Sequence, residues 1–242
     1  MRRATVGMLY PGFSAEDDYP RFERLLGGDV ALPVQHTLMN EDAHRIDALL
    51  DWGRPETLAA GAEALRPNGI DAIMWACTSG SFAYGWAGAH EQARTLSQAA
   101  RVPASSTSLA FVHAIKSLGL RKVAVAATYP ADVAQLFADF LHAADIVVTR
   151  VSSHDIFTAA EVGTLSVERL LEIARLGDDP EAEAVLLPDT AFHTADHISA
   201  LEKEIGKPVL TANQVTVWEG LRLVGAPTDR EGLGRLFLQP VT

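Results

Sequence analysis

The stretch WACTSGSF, Trp75 to Phe82, contains the only cysteine among 242 residues. A lone thiol of this kind is either a small buried hydrophobe or a nucleophile and base. Cys77 stands at the end of an apolar run and is followed by Thr78-Ser79-Gly80. A helix starting there would offer free N–H groups, and the two hydroxyls would add donors, all of which favour a thiolate. A second stretch, LLPDTAFHT from Leu186 to Thr194, reads as a diverged copy with Asp189 in the cysteine's place. By itself Asp189 suits a helix N-cap. Facing a thiol across a substrate, it would form an acid/base pair, because groups on opposite faces of a carbon can remove and return a proton.

Other side chains have two readings each. Tyr10 and Tyr129 both precede a proline at the end of an apolar run, where each could pack or donate to an anion. His193 and His197 have a spacing that would share one helix face, but no third ligand accompanies them, and no metal site is expected. Trp52, Trp75, Trp86 and Trp218 read as packing. The run Glu16-Asp17-Asp18 reads as a solvated loop or helix start that could lie over a cleft mouth.

Positioning these groups requires strands and crossover helices. Apolar runs predict strands at Thr5 to Tyr10, Asp29 to Gln35, Asp71 to Cys77, Val102 to Thr107, Lys122 to Thr128, Ile146 to Ser152, Glu183 to Pro188 and Pro208 to Asn213. Between them, Val133, Leu136, Phe137, Phe140 and Leu141 recur at helical spacing, as do Leu170, Leu171, Ile173 and Ala174 before a stop at Gly177. The alternation predicts an α/β protein with parallel sheets covered on both faces.

Three landmarks recur in the same order in each half: MLYP and AATYP, DAIMWACT and EAVLLPDT, VPASST and KPVLTAN. The repeat predicts two pseudo-symmetric lobes, each a mainly four-stranded parallel sheet flanked by helices. Residues 1–113 with 214–242 would form the N-terminal lobe and 114–213 the C-terminal lobe. Ligands of parallel sheets bind beyond the carboxyl ends of the strands, so the site belongs in the cleft between lobes, with Cys77 on one wall and Asp189 on the other.

The net charge of −11 removes the basic surface that nucleic acid requires. No apolar run is long enough for a membrane span or a secretory leader, which suggests a cytoplasmic location and no membrane partner. Neither a dinucleotide fingerprint nor a phosphate loop follows any strand, so no cofactor is expected. A homo-oligomer is compatible with the sequence.

With YPGFS, CTSGSF, LGLRKVAVAATYPADV, AVLLPDT, GKPVLTAN and GLGRLF in view, nearly the whole chain resembles the cofactor-independent aspartate/glutamate racemase superfamily, in its maleate isomerase and arylmalonate decarboxylase branch. The segment AEDDYPRF is also similar to the ectoine-utilisation proteins of that superfamily. The resemblance implies a small carboxylic acid substrate held by hydroxyls and backbone N–H groups. By position these would be Thr78, Ser79, Tyr129 and the backbone at Thr190, with Pro11 and Gly12 at the first strand end. It also implies a cysteine from each lobe in racemases and isomerases, and one from the second lobe alone in the decarboxylase. Asp189 departs from both patterns. The resulting expectation is an isomerase or racemase with Cys77 as thiolate nucleophile or base and Asp189 as the opposed acid/base. A carboxylate-binding protein without turnover and a decarboxylase of malonate-type acids are the alternatives.

Overall fold

The computed structural model describes residues 3–238, so the first two residues and the end of the segment 214–242 lie outside the described residues. In the first half the order is β1 (Ala4–Pro11), α1 (Asp18–Leu25), β2 (Val30–Ala31), β3 (Val34–Thr37), α2 (Ile46–Trp52), α3 (Pro55–Leu65), β4 (Ala72–Trp75), α4 (Ser79–Phe82), α5 (Gly85–Ala100), β5 (Ala104–Ser106) and α6 (Thr107–Ser117). The second half continues with β6 (Lys122–Ala127), α7 (Ala131–His142), β7 (Val147–Ser153), α8 (Ala159–Val162), α9 (Val167–Gly177), β8 (Ala184–Leu187), α10 (Ile198–Ile205), β9 (Val209–Thr211) and α11 (Ala212–Leu223).

Among the described residues two parallel sheets result, one of five strands ordered β2-β1-β4-β5 with β3 also paired to β1, and one of four ordered β7-β6-β8-β9; with β2 and β3 counted as one split strand, each sheet places its strands in the sequence second, first, third, fourth. The expected architecture of two similar α/β lobes is therefore present. One difference is local. The strand expected over 29–35 is split, because β2 and β3 pair with different parts of β1 on either side of Leu32-Pro33. Pro33 has no N–H to give the ladder, and only its carbonyl is used, by Met8 N at 2.9 Å.

The fourth strands end earlier than their apolar runs. The strands expected to run to Thr107 and Asn213 stop short, and Thr107 and Ala212 open α6 and α11. Ser106 accepts from Leu109 N, and Thr211 forms a capping box with Gln214, so equivalent hydroxyl residues start both helices. Helix α11 leaves the second sheet and packs on the first, where a Cβ on Gly220 would lie 2.9 Å from Val6 Cγ1. It also meets α6 through a 2.6 Å hydrogen bond between the Thr107 and Thr216 hydroxyls.

Gly177 does not stop its helix from outside. It is the last residue of α9 and buried against β6, where a Cβ would lie 2.4 Å from Ala126 Cβ and 2.9 Å from Ala126 Cα. Gly177→Ala is therefore expected to destabilise by ~1–3 kcal/mol through overpacking, measured as a lower urea midpoint with an unchanged slope.

Candidate active site between the lobes

The third strand of each sheet delivers one candidate group. After β4 the chain passes Cys77 into α4, and Gly80 N donates to Cys77 Sγ at 3.2 Å. The Ser79 hydroxyl lies 3.8 Å from the same sulphur. Burial nevertheless dominates. Cys77 is 2% exposed, and desolvation pushes its thiol up to about 12, against the Gly80 and Ser79 bonds and with help from the Asp189 charge. The thiolate expected from a helix start is thus outweighed, and the resting group is a thiol. Alkylation of native Cys77 by iodoacetamide at pH 8 is expected to be on the order of 10³-fold slower than in the unfolded chain, since the thiolate is the reactive form. Equal rates would contradict this.

After β8, Asp189 does not cap a helix. Its Oδ1 accepts from Ala191 N at 2.9 Å in a turn closed by Phe192 N to Asp189 O, and α10 begins only at Ile198. Oδ2 accepts from the Thr128 hydroxyl at the end of the neighbouring strand β6. Asp189 is 4% exposed. Its charge raises the thiol of Cys77 and the phenol of Tyr129.

Tyr129 is fully buried and donates to Pro188 O at 2.9 Å. Desolvation, helped by the Asp189 charge, holds its phenol protonated, opposed by the adjacent Thr78 and Ser79 hydroxyls. Thr78 Oγ1 is buried with no hydrogen-bond partner among the described residues. Such a hydroxyl costs free energy unless a ligand satisfies it. At Thr190 the carbonyl accepts from Tyr10 Oη at 3.0 Å and Asn213 Nδ2 at 3.1 Å. Pro11 ends β1 opposite Thr37, and Gly12 adopts φ 62° beneath the Met39 side chain. Both begin the loop that Tyr10 ties down through Ser14 Oγ and Ala15 N.

Several neighbours had no role assigned from sequence: Thr128, Tyr19 and Asn213 lie within quoted motifs, and His44 and Asp42 lie outside them. Thr128 precedes Tyr129, and Tyr19 donates to Asn213 Oδ1 at 3.2 Å. The His44 ring meets Tyr129 edge-on at 4.9 Å while its Nδ1 lies 2.8 Å from Ile156 O. Asp42 accepts from Ala159 N and Ala160 N at the start of α8, so loops of the two lobes clasp each other beside the cleft. The acidic run at 16–18 is not simply solvated, because Asp18 is fully buried. His193 and His197 share no helix face. His193 lies outside α10, with Nε2 2.8 Å from Asp17 Oδ1, while His197 flanks the helix start. Among the described residues no cluster of three or more His, Cys, Asp or Glu side chains could hold a metal, and no helix is long and apolar enough to cross a membrane.

The family model described as arylmalonate decarboxylase matches residues 54–237. The chain belongs to the arylmalonate decarboxylase family. Within its reach, the arylmalonate decarboxylase of Bordetella bronchiseptica is 28% identical over 185 residues, covering 75% of this chain and 77% of that one. The maleate isomerase of Geobacillus stearothermophilus is 30% identical over 174 residues, 69% of each chain. Among solved structures, a glycine-to-cysteine, cysteine-to-serine double mutant of arylmalonate decarboxylase in its liganded form superposes with a TM-score of 0.84 at 25% identity, covering 97% of this chain and 98% of that one. The decarboxylase family and its maleate isomerase relatives are enzymes, and the lobes described above are their shared fold.

Proposed function

We propose that this protein is a cofactor-independent isomerase or racemase of a small carboxylic acid that works through an enediolate. The reading is supported by one buried thiol and one buried carboxylate that follow equivalent strands of the two sheets, and by a buried Thr78 hydroxyl without a hydrogen-bond partner beside Cys77. In the proposed step the Asp189 carboxylate takes the α proton, and the C–H electron pair moves into the substrate carboxylate. The Cys77 thiol then gives its proton to the opposite face, leaving a thiolate and a protonated Asp189 that the reverse passage or solvent restores. Thr78 and Ser79 would donate to the enediolate oxygens, each worth on the order of 10²–10³-fold where the donor is preorganised, and Tyr129 would join them by turning its proton away from the Pro188 carbonyl. A thiol raised by burial favours this acid role over nucleophilic addition, which needs the thiolate.

A second reading is decarboxylation of a malonate-type acid, with Cys77 as the sole proton donor. It is favoured by the family match and by the structural relative that gains one cysteine and loses another, since by resemblance that exchange leaves a thiol on the first lobe only. Both readings are tested by following α-proton exchange in deuterated water across small mono- and dicarboxylic and amino acids, with carbon dioxide release measured on disubstituted malonates. Exchange without carbon dioxide is the expected result. Carbon dioxide release selects the second reading, and a tightly bound acid showing neither would mean a binding protein.

A further inference from the structure

We propose that Gln92, on the outer helix α5, is a positioning residue for Cys77: its side-chain amide holds Gly80 where the Gly80 N–H meets the cysteine sulphur. The inference rests on the role given to Cys77 above. Gln92 Nε2 donates to Gly80 O at 3.0 Å and to Gly53 O at 2.9 Å, and Trp75 Nε1 donates to the same Gly80 carbonyl at 3.2 Å. These outside donors are needed because α4 is too short to use that carbonyl. Ala83 N bonds to Ser79 O and Tyr84 N to Ser81 O, so the helix passes over Gly80 O. Gln92 and Trp75 thus hold the carbonyl side of the residue whose N–H reaches Sγ at 3.2 Å.

Two close approaches support the same arrangement. A Cβ on Gly80 would lie 3.1 Å from Cys77 Sγ, and one on Gly53 would lie 2.3 Å from Gly80 O and 2.5 Å from Gln92 Nε2. Glycine at both positions lets the amide bridge two backbone carbonyls. Gln92 itself is 7% exposed, and its Oε1 is buried with no hydrogen-bond partner among the described residues. An apolar side chain would fill this place without stranding an acceptor, so the donor end is what the position uses. An N–H aimed at sulphur favours the ionised form, and losing it makes the thiolate scarcer.

The test is the rate of Cys77 alkylation by iodoacetamide across pH 8–10 in the full chain, with thermal melts as the folding control. Gln92 borders an apolar cavity of about 190 Å³ lined by Leu58, Tyr84 and Leu96, which leaves space for an isosteric methionine. Gln92→Met is expected to slow alkylation about tenfold at each pH, the scale of one charge-assisted hydrogen bond. Thr95→Val, which lines the same cavity without touching Gly80, is expected to match wild type. If Gln92→Met does not fold, Gln92→Leu is the substitute, and it is expected to react more slowly than wild type because it has no donor for Gly80. An unchanged or faster rate in a folded variant overturns the proposal. The outcome is separate from the fate of the catalytic reading, since alkylation is measured without substrate.

Discussion

Cys77→Ala is expected to reduce turnover by roughly 10³-fold or more, the scale of losing a positioned proton donor, while leaving the protein folded and able to bind a carboxylic acid. The chain has no other thiol to take over. The structural cost is small because the sulphur makes one backbone hydrogen bond, from Gly80 N, whose loss is worth ~1 kcal/mol. Cys77→Ser separates geometry from chemistry. A hydroxyl can still accept from Gly80, yet it gives up its proton far less readily, so a similar loss of turnover is expected. Asp189→Asn then distinguishes the two reactions. Its amide oxygen can still accept from Ala191 N, and the Thr128 hydroxyl can rotate to accept from its NH₂. Removing only the basic carboxylate should stop α-proton exchange but spare carbon dioxide release from a malonate. Measured as kcat and KM for each reaction with a bound-acid affinity alongside, more than half of wild-type turnover in Cys77→Ala would end the mechanism.

The repeat made the two lobes legible because it preserved the strand ends: β1 with β6, β4 with β8 and β5 with β9 occupy equivalent positions in their sheets. It also drew attention to Cys77 and Asp189. What followed each of them was harder to read. CTSG leads into a four-residue helix and PDTA into a turn, because the local signals for a capped turn and a capped helix are the same Asp, Ser or Thr before polar residues. The protonation of Cys77 was also beyond the sequence. Hydroxyls and a helix start argue for a thiolate, and only the extent of burial reverses the balance. Gln92 lies in an ordinary amphipathic helix, and no pattern marks its amide as reaching Gly80.

Asp18 illustrates the same limit and carries the largest expected stability effect. In EDDY an acidic residue at a helix start is usually wet, but Asp18 begins α1 with no exposed surface. Its Oδ2 accepts from Thr194 N at 2.8 Å, Ala195 N at 3.2 Å and Asn213 Nδ2 at 3.0 Å, while Arg21 Nη1 lies 3.2 Å from Oδ1. A helix of the first lobe thereby holds the loop that follows Asp189 in the second. Asp18→Ala strands two backbone N–H groups and an amide, and a loss of ~3–5 kcal/mol in urea unfolding is expected, as for breaking a buried charged pair. Asp18→Asn keeps an acceptor for the same donors and should fall within ~1 kcal/mol of wild type at neutral pH. The pH profile distinguishes charge from geometry. Burial raises the Asp18 carboxyl above the ordinary carboxylate range, against its hydrogen bonds and the nearby His193. A folded-state value above the unfolded one means its contribution is complete below the unfolded value and is lost as pH rises through the folded one. Wild type should therefore lose stability relative to Asp18→Asn across that acidic window, and a constant difference between the two would show that Asp18 is not titrating in the buried state. Because Thr190 and Phe192 carbonyls share Asn213 Nδ2 with Asp18, loosening this tie also frees the turn that aims Asp189. Asp18→Ala should then lower kcat even under conditions where it remains folded, with Asp18→Asn retaining most of it.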